Sequence, residues 1–294
     1  MRWNLRSLLP KGSIIIFFFC CSCDQRAQAP AKNPYLFVGA IPAPADYRRI
    51  AAGRNSFGAW LRQISLKKDR TVYLFDGSPK RNQEAQFAVL DISVGHKDLQ
   101  QCADAVMRLR AEFLYAQKDF ADIDFYTAGR TRLNFREWAG GRRVRLSGDR
   151  LVQYALQPAA SRSGPEATRS VCDDRACFSA YLETVFSYCG TLSLEKQLVP
   201  VSSFDDMLIG DVLIRGGSPG HAMLVVDMAV DSMGHKVYLL AQSYMPAQDI
   251  HIVNNPVDGT LSPWYRVDKK EAAIETPEWT FYTHQLRAWP GPGS

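Results

Sequence analysis

Between residues 209 and 244 the chain sets three strand-like runs in succession: IGDVLIRGG (209–217), HAMLVVDMAV (221–230) and KVYLLAQSY (236–244). No other feature constrains the fold as much. β-Branched and aromatic residues fill these runs, Gly and Pro separate the first two, and an Asp-Ser-Met-Gly turn joins the last two. They therefore read as consecutive antiparallel strands. Helical patterning comes earlier in the chain. Leu99, Cys102, Ala103, Val106, Leu109 and Phe113 recur at helical intervals in LQQCADAVMRLRAEFLYA, a run that Asp98 can cap. A second helix is expected over about 175–189, ended by Gly190, with a short helix and loop after it. Helices first and antiparallel strands later make an α+β order.

Three further segments complete the layout. TVYLFDG (71–77) and AQFAVLDISV (85–94), split by a Gly/Ser/Pro turn, read as an N-terminal hairpin. From Asp122 to about Gly164, short strand-like pieces alternate with Arg130, Arg132, Arg136, Arg142, Arg143 and Arg145, a β-rich insertion whose arginines suit a solvated hairpin edge. The Pro- and Trp-rich end, with SPWY (262–265), TPEW (276–279) and WPGPG (289–293), reads as loops and edge segments wrapping the sheet.

The start of the chain bears on location. Residues 1–23 combine a cationic beginning with an apolar run from Ile14 to Phe19, too short to span a bilayer but long enough for the core of a signal peptide. The run ends in Cys20, Cys21, Ser22 and Cys23 and then turns polar, which resembles a bacterial lipobox with Cys23 as the lipidated residue. The expected organisation is thus a signal peptide over 1–23, a linker over 24–35 and one α+β domain over 36–294. The chain would be a lipoprotein of the cell envelope, held to the membrane through an N-terminal lipid and facing periplasm or cell surface. Its formal charge of +5 includes Arg2, Arg6 and Lys11 of the leader, so the remainder carries +2. That is too little to imply a nucleic-acid partner.

Export also sets the reading of the cysteines, because an oxidising compartment favours disulfides. Cys172 and Cys177, spaced CDDRAC, can bridge locally, while Cys189 falls on an apolar helix face. Cys102 is left without an obvious partner.

In GDVLIRGGSPGHAMLVVD a strand reaches a Gly/Pro turn and a histidine opens the next strand. This pattern resembles the papain-like cell-wall peptidases and the CHAP-type amidases, in which a cysteine opens an earlier helix and a polar residue follows on the strand after the histidine. The resemblance implies a papain-like fold, with helices packed on an antiparallel sheet. It places a nucleophile at Cys102, a base at His221, an orienting residue at Gln242 and an oxyanion donor at Gln101. The chemistry of those residue types agrees, since a helix N-terminus and a neighbouring imidazole both lower a thiol's pKa, and a Gln oxygen can fix an imidazole's tautomer. Cys102, however, lies four residues after Asp98, whereas these enzymes put the thiol at the first helical position. Cys177, which opens the second helix, competes as nucleophile, and a buried, inert Cys102 is the third alternative.

FGAWLR, LQQCADAVMRLRAEFLY, YCGTLSL, GDVLIRGGSPGHA, LLAQSYMPAQDIHI, SPWY and TPEW resemble, over almost the whole mature length, a family of uncharacterised bacterial lipoproteins, domain-of-unknown-function family 4846. That family implies no established activity. Two functions are expected from these readings. One is a hydrolase or acyltransferase cutting an amide or ester of an envelope polymer or peptide, peptidoglycan by location. The other is a non-catalytic binding lipoprotein on the same frame. Ser243, Tyr244, Trp264 and Tyr265 are expected around the cleft as substrate-contacting residues. No cofactor is expected, and no metal, because His221, Asp227, His235 and His251 lack a helical ligand spacing such as HExxH.

Overall fold

The computed structural model describes residues 32–156, 172–270 and 272–291. The expected signal peptide with Cys20, Cys21 and Cys23 lies outside the described residues, as does most of the expected linker over 24–35. Five helices are started by local chemistry. Helix α1 (Phe57–Gln63) begins where Ser56 Oγ accepts from the Ala59 N–H at 3.2 Å. Helix α2 (Cys102–Ala116) begins where the Asp104 carboxylate reaches back to the Gln101 N–H at 3.0 Å. Asn134 and Asp174 cap α3 (Phe135–Ala139) and α4 (Arg175–Tyr188) through the N–H groups of Glu137 and Cys177. Ser193 Oγ accepts from the Gly190 N–H at the start of α5 (Thr191–Gln197).

The central sheet uses β1 (Gln86–Val89), β2 (Val199–Pro200), β3 (Val212–Arg215), β4 (His221–Val230), β5 (Lys236–Gln242), β6 (His251–Val253) and β7 (Leu286–Ala288). Their spatial order is β1-β6-β5-β4-β3-β7-β2, with every pairing antiparallel, and short pieces at Arg48–Arg49 and Tyr265–Arg266 extend it beside β4 and β5. The middle strands are apolar on both sides because both faces are covered. Ala222, Leu224 and Val226 of β4 pack under α1, α2 and α4 with Phe57, Val106 and Phe178. Met223, Val225 and Met228 face the other way, with Tyr238, Leu240, Phe204 and Phe281.

One irregularity in β4 redirects a charge. The register with β5 passes from Asp227 opposite Leu239 to Val225 opposite Leu240, so Val226 is an extra residue. Simple alternation from the sequence sets His221, Met223, Val225 and Asp227 on one face. The bulge moves Asp227 to the helix face. There, with its side chain fully buried, it takes Arg62 Nε of α1 at 2.6 Å and Arg49 Nε at 2.7 Å.

The mixed α+β architecture with a large antiparallel sheet is therefore as the element order predicts, but the N-terminal hairpin is not formed. Segment 71–77 closes on itself through Leu74 N–H to Ser78 O, and its Phe75 N–H goes to Ala247 O. Residues 86–89 pair with β6. Both runs thus take their partners from residues 247–253, a distant segment that covers them better than they cover each other. In the Arg-rich region, two small ladders join 124–126 to 132–134 and 142–147 to 150–155. The arginines there are engaged locally: Arg132 with Asp124, Arg142 with Glu137, Arg143 over the Trp138 ring. Cys172 and Cys177 form a disulfide, and Cys189 is buried and free. No helix of the described residues is long and apolar enough to cross a membrane.

Candidate active site

Three elements bring the chemistry together at the end where β4 begins. The cap at Gln101 makes Cys102 the first residue of α2. The sequence reading gave that capping role to Asp98, whose carboxylate instead accepts from the Ala247 N–H at 2.7 Å and from Gln101 Nε2 at 3.1 Å. The correction puts the thiol where helix N–H groups point at it. Ser243 secures the approach from the sheet side, since its hydroxyl donates to the carbonyl of Gln100 at 2.9 Å.

His221 opens β4, and the residue before it has to be glycine. A Cβ at position 220 would lie under 3.0 Å from Gly217 O, Thr191 Oγ1 and Arg215 O, so any side chain would push the turn and His221 out of place. Alternation puts the imidazole on the sheet face away from α2, where Tyr244, Trp279 and Phe281 pack around it with ring centroids 4.8, 5.3 and 5.7 Å away. His221 Nε2 lies 2.7 Å from Gln242 Oε1. That leaves Nδ1 without a hydrogen bond among the described residues. The aromatic cover excludes water from the His–Gln bond and so strengthens it.

Cys102, His221, Gln101, Tyr244 and Trp279 line one cleft of about 490 Å³, with Asp98, Asp104 and the glycines at 190, 217 and 220 on its other walls. No Lys or Arg is among its lining residues. Gln101 has one amide proton committed to Asp98 and keeps the other. Among the described residues no hydrogen bond joins the Cys102 thiol to His221, a looseness common in catalytic pairs before substrate binds.

The electrostatics differ from the sequence expectation. Burial pushes the Cys102 thiol up to about 11, outweighing the backbone N–H groups of Ala103 and Ala222 that favour its anion. Burial likewise holds His221 down to about 4, against the hydrogen bond that the Gln242 oxygen accepts from it, while the Lys80 charge adds to the lowering. The pair therefore rests as thiol and neutral imidazole, not as an ion pair. The helix terminus acts in the expected direction and is overruled by desolvation.

Other expected residues lie elsewhere. Trp264 is buried in the helix-side core with its indole N–H on Pro42 O, and Tyr265 stacks on Tyr238 beside a separate cavity on the far sheet face. Ser243 is fully buried and bonded to backbone. Of the four substrate-contacting positions expected, Tyr244 alone is at the cleft. Cys177 is spent in its disulfide, so its sulfur is not available as a nucleophile. Among the described residues no group of three or more His, Cys, Asp or Glu side chains is arranged to hold a metal.

Behind Gln242 lies a polar layer that sequence reasoning missed. Strands 273–275 and 280–282 form a hairpin closed by Thr276 N–H to Trp279 O, and its tip delivers Trp279 to His221 and Glu278 to Gln242. Glu278 Oε2 is 2.9 Å from Gln242 Nε2 and 2.5 Å from Lys80 Nζ, and His251 Nε2 is 3.3 Å from Gln242 Nε2. The TPEW and QDIHI segments were the available signals for Glu278 and His251, whereas nothing local marks Lys80.

No curated protein and no solved structure matches the chain. A family model does, over residues 38–288, and the chain belongs to that family, described as domain of unknown function 4846.

Proposed function

We propose that the protein is a papain-like cysteine hydrolase or acyltransferase that opens an amide or ester bond through a Cys102 thioester. The observation that carries this reading is the 2.7 Å contact from His221 Nε2 to Gln242 Oε1, which leaves Nδ1 unused in a cleft shared with a thiol on the first residue of a helix. Because thiol and imidazole rest neutral, deprotonation accompanies attack. Cys102 Sγ bonds to the carbonyl carbon as its proton passes to His221 Nδ1. The oxygen takes the negative charge beside the Cys102 N–H and the remaining Gln101 amide proton. His221 then gives the proton to the departing amine or alcohol as the C–N or C–O bond breaks. Water, or an acceptor amine or hydroxyl, attacks the thioester while losing its proton to His221, and the proton returns to sulfur as the acyl product leaves. Gln242 holds the ring throughout and carries no proton.

A cleft with Asp98 on its wall and no Lys or Arg in its lining favours neutral or cationic substrates over polyanions. Peptidoglycan peptides meet that description at the envelope location the leader suggests, where Cys23 would carry the lipid. The purified protein, incubated with an activated ester, should gain one acyl group on Cys102 by mass spectrometry, and His221→Ala should abolish the adduct. Acylation that persists undiminished in His221→Ala rejects the catalytic pair.

Burial of Cys102, at 7% exposure, and its raised pKa favour a second reading, a binding protein in which the thiol is packing. That reading requires wild-type protein to remain unacylated.

A further inference from the structure

We infer that Glu278, Lys80 and His251 form a positioning relay that fixes which way the Gln242 amide faces, and through it which nitrogen of His221 carries the proton. The inference rests on the catalytic reading of His221 but is decided by hydrogen-bond logic alone. His251 Nδ1 lies 2.9 Å from the Asp249 carbonyl, which can only accept, so Nδ1 carries the proton. Burial keeps this imidazole neutral, down to about 3, and its Nε2 is therefore a lone pair. Glu278, paired with the buried Lys80 ammonium, presents a carboxylate oxygen. One end of the Gln242 amide thus meets two acceptors, at 3.3 and 2.9 Å. Only the NH2 group can face them. The oxygen must then face His221, whose Nε2, 2.7 Å away, has to donate. A neutral ring protonated at Nε2 has its lone pair at Nδ1, the nitrogen free to take the Cys102 proton.

Lys80 has a second part in this arrangement. It sits 3.5 Å from His251 Nε2 and is itself a donor, so on its own it would attract the Gln242 oxygen and reverse the amide. Glu278 outcompetes it. The hairpin tip therefore sets the sense of the whole relay from outside the central sheet.

The test reads protonation directly. In protein labelled with 15N-histidine, long-range 1H–15N correlations report which ring nitrogen bears hydrogen, and loss of signals in His221→Asn assigns the ring. Wild type should show His221 protonated at Nε2 and His251 at Nδ1. In Glu278→Met the unopposed Lys80 should turn Gln242 around, giving His221 protonated at Nδ1, and alkylation of Cys102 by iodoacetamide should fall about tenfold. The double variant Lys80→Met with Glu278→Met removes the buried pair together, a change that buried ion pairs often tolerate. With His251 as the remaining acceptor, it should return His221 to Nε2–H and recover the alkylation rate relative to Glu278→Met. Wild-type His221 protonated at Nδ1 overturns the relay without any variant, as does an Nε2–H ring unchanged in a folded Glu278→Met. If the tautomers behave as stated while alkylation ignores His221→Ala, the relay stands and the hydrolase reading falls.

Discussion

Two ion-paired carboxylates on opposite faces of the sheet are used in opposite ways. Asp227 is saturated: each oxygen takes an arginine, and those arginines also reach the carbonyls of Ile41 and Met228, so the cluster ends where it begins. Glu278 opens a chain. It is held by Lys80, passes its preference to Gln242, and ends at a ring nitrogen without a partner that faces a cleft. A closed cluster fastens α1 to the sheet, whereas an open one leaves a single unsatisfied atom where a reaction can use it. The difference is chiefly one of connectivity, since both charges are paired, Asp227 fully buried and Glu278 half-buried.

The largest test removes the closed cluster. Asp227→Ala leaves two guanidinium groups facing each other, and urea denaturation should show a loss of about 3 kcal/mol. Cys102 alkylation per folded molecule should not change, and a parallel loss of reactivity would break the separation drawn between the clusters. Next comes acid. His221 and His251 are held at about 4 and about 3 against an ordinary 6.5, in each case by burial first. The unfolded chain therefore binds protons that the folded one refuses, so stability is complete above pH 6.5 and is lost as pH falls through the window below it. Asp211, held up to about 7 by burial, works the other way and gains its proton over an overlapping range. The effect is therefore best read as a difference. Between neutral pH and about pH 5, His251→Gln should lose about 2 kcal/mol less than wild type.

Changes at the open end should move chemistry more than stability. His221→Ala should slow Cys102 alkylation about tenfold, and Gln242→Ala about threefold, because it orients the base without carrying a proton. Equal effects of the two would mean that the amide does more than orient. Smallest is the exposed Lys97–Glu183 pair, where Lys97→Ala should shift stability by under about 0.5 kcal/mol and leave alkylation alone.

How much of this was legible depends on distance along the chain. The strands over 209–244, the helices around 102–116 and 175–188, and the CDDRAC bridge are written in local pattern and appear where that pattern puts them. The sequence also singles out Cys102, His221 and Gln242, which the fold brings to one end of the sheet. Facing is another matter. Trp264 and Tyr265 are expected beside Tyr244 at the cleft, yet one packs under the helices and the other on the far face. Which side a strand residue presents depends on register, and register is a property of pairs. The Asp98 cap failed because an equally good local partner, Asp104, sits three residues beyond Gln101. The run 71–77 failed because its better partner lies some 170 residues away. Lys80 and Glu278 meet across 198 residues, and neither has a neighbour in sequence that announces the other.

The extra residue in β4 has a consequence for how this chain can vary. His221 at one end of the strand and Asp227 past the bulge need opposite faces of the same sheet; six residues apart, they would share a face under regular alternation, and the bulge at Val226 separates them. Deleting Val226 would make Asp227 and Val225 consecutive opposite Leu239 and Leu240, a regular ladder whose alternation still turns Asp227 toward Arg49 and Arg62 and His221 toward Gln242. The bulge is therefore the place in this strand where a one-residue deletion is absorbed, whereas an added residue with the bulge kept would set His221 and Asp227 on one face. Across related chains, a one-residue gap between these two positions should coincide with a regular, unbulged strand, and ungapped chains should keep the bulge.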